Sequence, residues 1–397
     1  MDPLGCYRWL AAVGLSWMWL GCSGEEPVAP APSTAAELMG PDSTEAVAGE
    51  IALQVGDDFQ QANDSNPAGS RFFVAAGIHA GQRVVNPKPG NQWRGQEGAI
   101  LDGADSLSDA FSGRAEEVTI AGLALRNYVD NGVYFRDGRA VRISRVQVSD
   151  TGSGDGEANG ALRFLRVRDL AVTGSFFSRV SSGVLPTQCI GPIRIEGNSG
   201  VNTGRNFIQL ANCRGGGIRV RYNSMERVGD YLRPGAEDVE DWISVFDVVG
   251  LPEDPAQLNF NRARGHGVSA SGSFIMLGDG GGQYQEAVGN IGVTPGQVGI
   301  GLSGGEYIAV RDNVIFSDIW AQSNIAFYSS NYAGAHPCGH HTVENNRANW
   351  TNRDRRQNTF WSNDTCAPLS VRGNSFPDST VGAEIWDQWQ GVPVEGQ

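Results

Sequence analysis

IRIEGN at residues 193–198 and IRVRYN at 218–223 are one phrase written twice, and it returns as IAVRDN at 308–313 and LSVRGN at 369–374. Each copy reads aliphatic, any, aliphatic, any, turn residue, Asn. The aliphatic positions (Ile193, Ile195; Ile218, Val220; Ile308, Val310) stand two apart, the period of a strand with one face turned inward, while Arg or Glu fills most of the alternates. Besides Asn198, Asn223, Asn313 and Asn374, weaker copies put the same phase at Leu123, Val146, Ser175, Ala263, Asn290 and Asn346. The successive gaps are 23, 29, 23, 25, 40, 27, 23, 33 and 28 residues, close to one three-sided coil of a parallel β-helix. Coils stacked at roughly 4.8 Å would align these asparagines into an amide ladder. The expectation is an all-β, single-stranded, right-handed parallel β-helix solenoid of about 10 to 12 coils.

Composition agrees. The chain has 397 residues, 40% hydrophobic, with 54 glycines, which favours many short strands and tight corners over helices. A formal charge of −14 argues against a nucleic-acid partner, whose phosphates it would repel. Lys88 is the only lysine against 29 arginines, so lysine is absent from almost every conceivable site.

The first residues read as an export signal: Arg8, then an apolar run from Trp9 to Leu20, too short for a retained membrane span. The junction WLGCS resembles a bacterial lipoprotein cleavage box, which implies removal of 1–21 and lipidation of Cys22. Ordinary secretion is the alternative. Residues 22–44 are polar and rich in Pro and Ala, a flexible tether, and 45–397 form one elongated domain.

Cysteine spacing follows the coils. Cys189 and Cys213 lie nine and ten residues before Asn198 and Asn223, and Cys338 and Cys366 each lie eight before Asn346 and Asn374. Both pairs are thus in register on neighbouring coils, at a separation a disulfide can span, and an oxidising compartment follows. A short N-terminal helical cap is expected from Asp57, ahead of a first strand at Phe72–Val74, and Trp386 with Trp389 are expected to close the other end. The long gaps after Asn223 and Asn313 predict protruding loops, where binding chemistry is usually found.

The coils, with GIHAGQRVVNPKPG (77–90) and GAILDG (98–103), resemble right-handed parallel β-helix proteins of the pectate-lyase-like superfamily over nearly the whole domain. LGDGGGQYQEAVGNIGVTPGQVGIGLSGG (277–305) resembles a stretch recurrent in secreted bacterial members with no assigned reaction. The superfamily holds polysaccharide lyases, glycoside hydrolases, uronan epimerases and adhesins, so the resemblance implies a fold and a carbohydrate setting without selecting a reaction.

Several groups are candidates for the chemistry. GAEDVEDWISVFD puts Asp238, Glu240 and Asp241 at the base of the long insertion, where carboxylates either bind calcium or act as an acid and base on a glycosidic bond, unless they form a solvated turn. His266 in RGHGVSASGS follows 25 residues after Asp241, an order that resembles the paired-Asp and Gly-His-Gly motifs of polygalacturonase-like hydrolases, although the flanking Asn-Thr-Asp and Arg-Ile-Lys motifs are missing. Asp279, among glycines, is a further candidate carboxylate. WTNRDRRQNTFW offers Arg353, Arg355 and Arg356 between Trp350 and Trp361, a composition suited to an anionic saccharide. HPCGHH (336–341) has the composition of a zinc site, but Cys338 already has a partner in phase, so the metal is left unknown. GLSGG (301–305) fits a nucleophile-elbow pattern but lies within a coil, so Ser303 is not a nucleophile.

Together these features predict an exported, lipid-anchored monomer at the outer membrane or cell surface, or secreted, touching the membrane through its lipid only. Its partner would be an anionic polysaccharide, with uronate lyase or epimerase activity and calcium as the candidate cofactor. The alternatives are a non-catalytic glycan-binding or adhesion protein and a polygalacturonase-like glycoside hydrolase; whether the chain is an enzyme stays open.

Overall fold

The computed structural model describes residues 45–391 apart from 155–157, 230–234, 236, 268, 333 and 335, so the export signal, Cys22 and the tether lie outside the described residues. Three parallel sheets, of 14, 11 and 11 strands among the described residues, wrap a right-handed β-helix of about 11 turns. The first sheet runs from Glu50–Leu53 to Leu369–Arg372, the second from Gly77–Ala80 to Arg347–Trp350, and the third from Val84–Val85 to Phe360–Ser362. The quoted phrases are strands of the first sheet, and Ile193 pairs with Ile218 and Ile195 with Val220 in register. These aliphatics are buried in one continuous core that runs the length of the coil stack.

The amide ladder forms. Asn198 Nδ2 donates to Asn223 Oδ1 (3.1 Å), Asn223 to Asn261 (2.9 Å), Asn261 to Asn290 (3.1 Å), and the chain continues through Asn313 and Asn346 to Asn374. Each backbone N–H donates to the same oxygen as its own side chain, as at Asn223 N to Asn261 Oδ1 (3.0 Å). One rung departs from expectation: it is Asn261, two residues before Ala263, that occupies the ladder. The phrase there is AQLNFN (256–261), whose turn position holds Phe260 at φ +57°, a residue that does not look like a turn former. Phe260 stacks on Tyr222, the turn residue of the preceding rung (5.3 Å), which compensates the strained backbone.

Asn223→Ala should cost about 3 kcal/mol, because it strands the buried Asn198 N–H and the Ile195 carbonyl, each worth ~1–3 kcal/mol when left unpaired. Urea unfolding checks this, and a loss below about 1 kcal/mol would remove the ladder from the account of rung stability.

The ends are built differently from expectation. A helix at Phe59–Ser65, capped by the Asp58 carboxylate on Gln61 N–H (2.9 Å), does insert buried Phe59 against Trp93 and His79. It is preceded, however, by an extra strand, Glu50–Leu53, on the edge of the first sheet, so Phe72–Val74 is not the first strand. At the other end Trp386 does not close the stack. It packs sideways with Val293, Val381 and Ile385 on the outer face of the second sheet, under the guanidiniums of Arg262 (4.0 Å) and Arg264 (4.5 Å), while Trp389 Nε1 donates to Phe260 O (2.6 Å).

Cys338 and Cys366 form the expected disulfide. Cys189 and Cys213 stand on adjacent rungs but are free, buried thiols. Their sulfurs lie within hydrogen-bonding reach of each other, and each also reaches a carbonyl of the preceding rung, Cys189 that of Phe164 and Cys213 that of Pro186.

Candidate functional site

A second polar ladder runs up the corner where the second sheet gives way to the third. Asn131 Nδ2 donates to Asp109 Oδ1 (2.8 Å), Gly160 N to Asn131 Oδ1 (3.1 Å), Asp241 N to Asn206 Oδ1 (3.1 Å), and Ser273 N to Asp241 Oδ1 (2.8 Å). Asp241 therefore occupies a rung position that Asn131 and Asn206 fill elsewhere. Its Oδ1 is fixed by Ser273, whose hydroxyl also donates to it (2.7 Å). At Asp109, lower in the same ladder, burial likewise raises the carboxyl, to about 6, against the opposing hydrogen bond from Asn131. What distinguishes Asp241 is its surroundings.

Asp241 opens onto a cleft of about 750 Å³ along the outer face of the third sheet. The floor comes from Met276, Tyr328 and Trp361, outward positions in register with Ser244 and Gly301 across the strands Asp241–Phe246, Ser273–Asp279, Val298–Leu302, Ile325–Ser329 and Phe360–Ser362. Gly301 is needed there: a Cβ would lie 2.6 Å from the Tyr328 ring and 2.9 Å from Met276 Sδ. Tyr328 leans across this gap, its hydroxyl 3.2 Å from both Met276 Sδ and Ser303 Oγ. One wall carries the amides Gln297, Asn324 and Asn358, and the other the hydroxyls of Ser303, Ser330 and Tyr332.

Charge is confined to one end. Burial pushes Asp241 up to about 7, with repulsion from Glu240 and Asp279 adding to it. Asp279 is also raised, first by burial and then by Glu240, although Gly280 N–H opposes the shift. The Tyr328 phenol is pushed up to about 12 by burial, so it is a neutral donor. Glu240 is held by Arg205 (2.8 Å) and by the Ser271 hydroxyl (3.1 Å). No cationic side chain is found among the described lining residues.

Of the residues expected from sequence, the structure thus brings together Glu240, Asp241, Asp279 and Trp361. The others fall elsewhere. Asp238 pairs with nearly buried Arg227 (3.4 Å) and does not line the cleft. His266 stacks on Trp320 (3.5 Å) with Nδ1 3.1 Å from Gly267 O, so the order shared with polygalacturonase-like motifs does not assemble a common face. Trp350 is 0% exposed, an inward residue of the second sheet that cannot meet a saccharide. Arg353, Arg355 and Arg356 lie exposed on a tight turn wrapped around Asn352, outside the lining.

A calcium ion does not fit the acidic run. Asp238 and Glu240 each face an arginine, and among the described residues no trio of carboxylates converges. Cys338, His341 and Cys366 do lie within 4.8 Å of one another, but the two sulfurs are bonded to each other and His341 Nδ1 already accepts from Ile308 N–H (3.4 Å). Met276, Gly301, Ser303, Tyr328 and Tyr332 were not anticipated. Alternation within SFIMLGD, VGIGL and IAFYS marks Met276, Gly301 and Tyr328 as outward positions, a signal visible only once the third sheet is phased.

The three parallel sheets define the molecule as a right-handed parallel β-helix. Similar solved structures include a GH136 lacto-N-biosidase from Eubacterium ramulus (11% identity, 82% of this chain and 68% of that one, TM-score 0.50). Another is the catalytic domain of a GH87 alpha-1,3-glucanase in complex with tetrasaccharides (11% identity, 85% and 71%, TM-score 0.51). A mannuronic acid specific family 6 polysaccharide lyase from human gut microbiota matches at 13% identity, 81% and 82% coverage and TM-score 0.46. At such identities the likeness is one of fold. No protein-family model and no curated protein matches the chain.

Proposed function

We propose that the cleft binds a neutral glycan and hydrolyses a glycosidic bond, with Asp241 as general acid and Asp279 as its carboxylate partner. The observation that carries this is the pairing of two carboxyl groups raised by burial with a floor and walls of aromatic, amide and hydroxyl groups. Asp241, protonated near neutral pH, gives its proton to the glycosidic oxygen as that bond breaks. Asp279, as the carboxylate, activates a water against the anomeric carbon and takes that water's proton as the new bond forms; its place opposite Phe246, five residues along from Asp241, leaves room for that water. Tyr328 and the wall amides donate hydrogen bonds to sugar hydroxyls, and the rings stack on sugar faces.

Anionic substrates fit less well. A uronate carboxylate would meet Asp279 with no cation lining the cleft to neutralise it, since Arg205 is already paired with Glu240, so lyase or epimerase chemistry on uronates loses its first place. Export and lipid anchoring through Cys22 remain part of the proposal on the strength of the apolar run and the WLGCS junction. A non-catalytic binder is the second possibility, favoured by the structural hydrogen bonds that Asp241 makes in its ladder.

Incubating the protein with a panel of neutral and uronate polymers, and following both reducing ends and unsaturated-product absorbance, separates these. New reducing ends from a neutral polymer are expected. Unsaturated products from a uronate would overturn the hydrolytic reading, and retention of glycan without any product would select the binder.

A further inference from the structure

The cleft is not uniform along its length. Glu240, Asp241 and Asp279 all sit on or beside the strands Asp241–Phe246 and Ser273–Asp279, whereas Tyr328, Tyr332 and Trp361 belong to Ile325–Ser329, Phe360–Ser362 and the loop between them. Trp361 lies three strand spacings beyond the Asp279 strand, about 14 Å. It is 49% exposed, and Tyr332, which also lines the cleft, is 83% exposed, while the adjacent Phe360 turns the other way and packs against the core. Between the two ends each rung adds one uncharged polar group to a wall: Gln297, Asn324 and Asn358 on one side, Ser303 and Ser330 on the other.

We infer that Trp361 is a distal sugar subsite, and that the substrate is a neutral oligosaccharide or polysaccharide of at least three or four units lying parallel to the helix axis. This rests on the glycan-binding reading of the cleft and adds its direction and length. A sugar unit advances by roughly one rung spacing, ~5 Å, so a chain whose bond is held at Asp241 and Asp279 reaches Trp361 with about its third ring. The exposed indole offers an apolar face to that ring, while the amide and hydroxyl walls take the intervening sugar hydroxyls. The carboxylates at the near end and the absence of lining cations select an uncharged chain.

The test uses the full chain carrying Asp241→Asn, so that bound glycan is not consumed. An array of neutral glycans identifies the best linkage, and its disaccharide and hexasaccharide are titrated by calorimetry, with a uronate hexamer as counter-probe. The hexasaccharide should bind about ten-fold or more tighter than the disaccharide, and adding Trp361→Ala should erase that gap while leaving disaccharide affinity unchanged; Trp361→Phe should keep most of it. Equal urea midpoints for the variants show that the fold is intact. Equal weakening of both lengths, or of neither, overturns the subsite and leaves the cleft reading standing. Binding of the uronate hexamer overturns the uncharged substrate class, and no binding by any neutral glycan removes the cleft reading and the subsite together.

Discussion

Asp241→Asn lowers glycoside cleavage by roughly 10²–10⁴-fold, the usual worth of a positioned general acid, and at the same time makes the protein more stable above neutral pH. The two effects have one cause. Asparagine already occupies the equivalent rungs at Asn131 and Asn206, where its Oδ1 accepts the next backbone N–H, so the substitution keeps the ladder bonds from Ser273 and removes only the ionisable proton. A structural role alone would therefore leave activity untouched, and a loss of activity with an unchanged or improved fold separates catalysis from architecture.

The pH dependence has a definite sign. Folding raises the Asp241 carboxyl from 3.8 to about 7, so the native state holds the proton more tightly than the unfolded chain. Its contribution to stability is complete below about pH 4, falls as pH rises, and is lost once pH passes about 7. At about 1.4 kcal/mol per pH unit the full effect would approach 4 kcal/mol; solvent reaching the cleft reduces this, and about 2 kcal/mol is expected. Urea unfolding of wild type and Asp241→Asn should thus coincide near pH 4 and diverge at pH 8, the variant being the more stable. Cleavage by wild type should fall on the alkaline side as Asp241 loses its proton. Identical stability curves at both pH values would mean that the carboxyl is not raised and cannot serve as the acid.

The solenoid was legible because one sheet in three states its repeat openly. Ile193, Ile195, Ile218 and Val220 pack inward in the register their spacing predicts, and the asparagines after them stack. The slip at Ala263 came from Phe260, an aromatic in the left-handed turn conformation, whose stacking partner Tyr222 is distant in sequence. Glu240, Asp241, Asp279 and Trp361 were legible: the first two at the base of the long insertion, Asp279 among glycines and Trp361 at the end of an arginine-rich loop. The rest was not, because the cleft is a flank and not a motif. Met276, Gly301 and Tyr328 come from separate coils joined only by strand register, and the third sheet's own ladder mixes Asp109, Asn131, Asn206, Asp241 and Ser273, so no single residue type phases it as Asn phases the first. Trp350 was misplaced for the same reason: it is eleven residues from Trp361 but belongs to the second sheet, one corner earlier, with its side chain inward. Cys189 and Cys213 reach the neighbouring positions their register predicts, yet stand as buried free thiols.

Gly272→Ala should be the most damaging small change near the site. Gly272 lies in the cleft wall at φ +110°, outside the range open to other L residues, and a Cβ there would sit 1.6 Å from the Glu240 carbonyl oxygen. That oxygen is backbone, so no rotamer change relieves the contact, and the two chains must separate. Gly272 O in turn accepts from Val298 N–H (3.1 Å), and Ser273 next to it supplies both donors to Asp241, so the separation reaches the following rung and the proposed acid together. About 3 kcal/mol or more of stability should be lost, from the left-handed backbone and the displaced strand start combined. Cleavage should fall with it even at temperatures where the variant stays folded, because Asp241 loses the hydroxyl and amide that fix its orientation. Gly296→Ala is the matched comparison: its φ of +157° also disfavours a side chain, but its Cβ would approach Gly272 O no closer than 3.1 Å, so only the backbone term is shared. It should be tolerated far better. Equal urea midpoints and equal rates for the two variants would show that contact between the Gly272 turn and Glu240 does not hold the site.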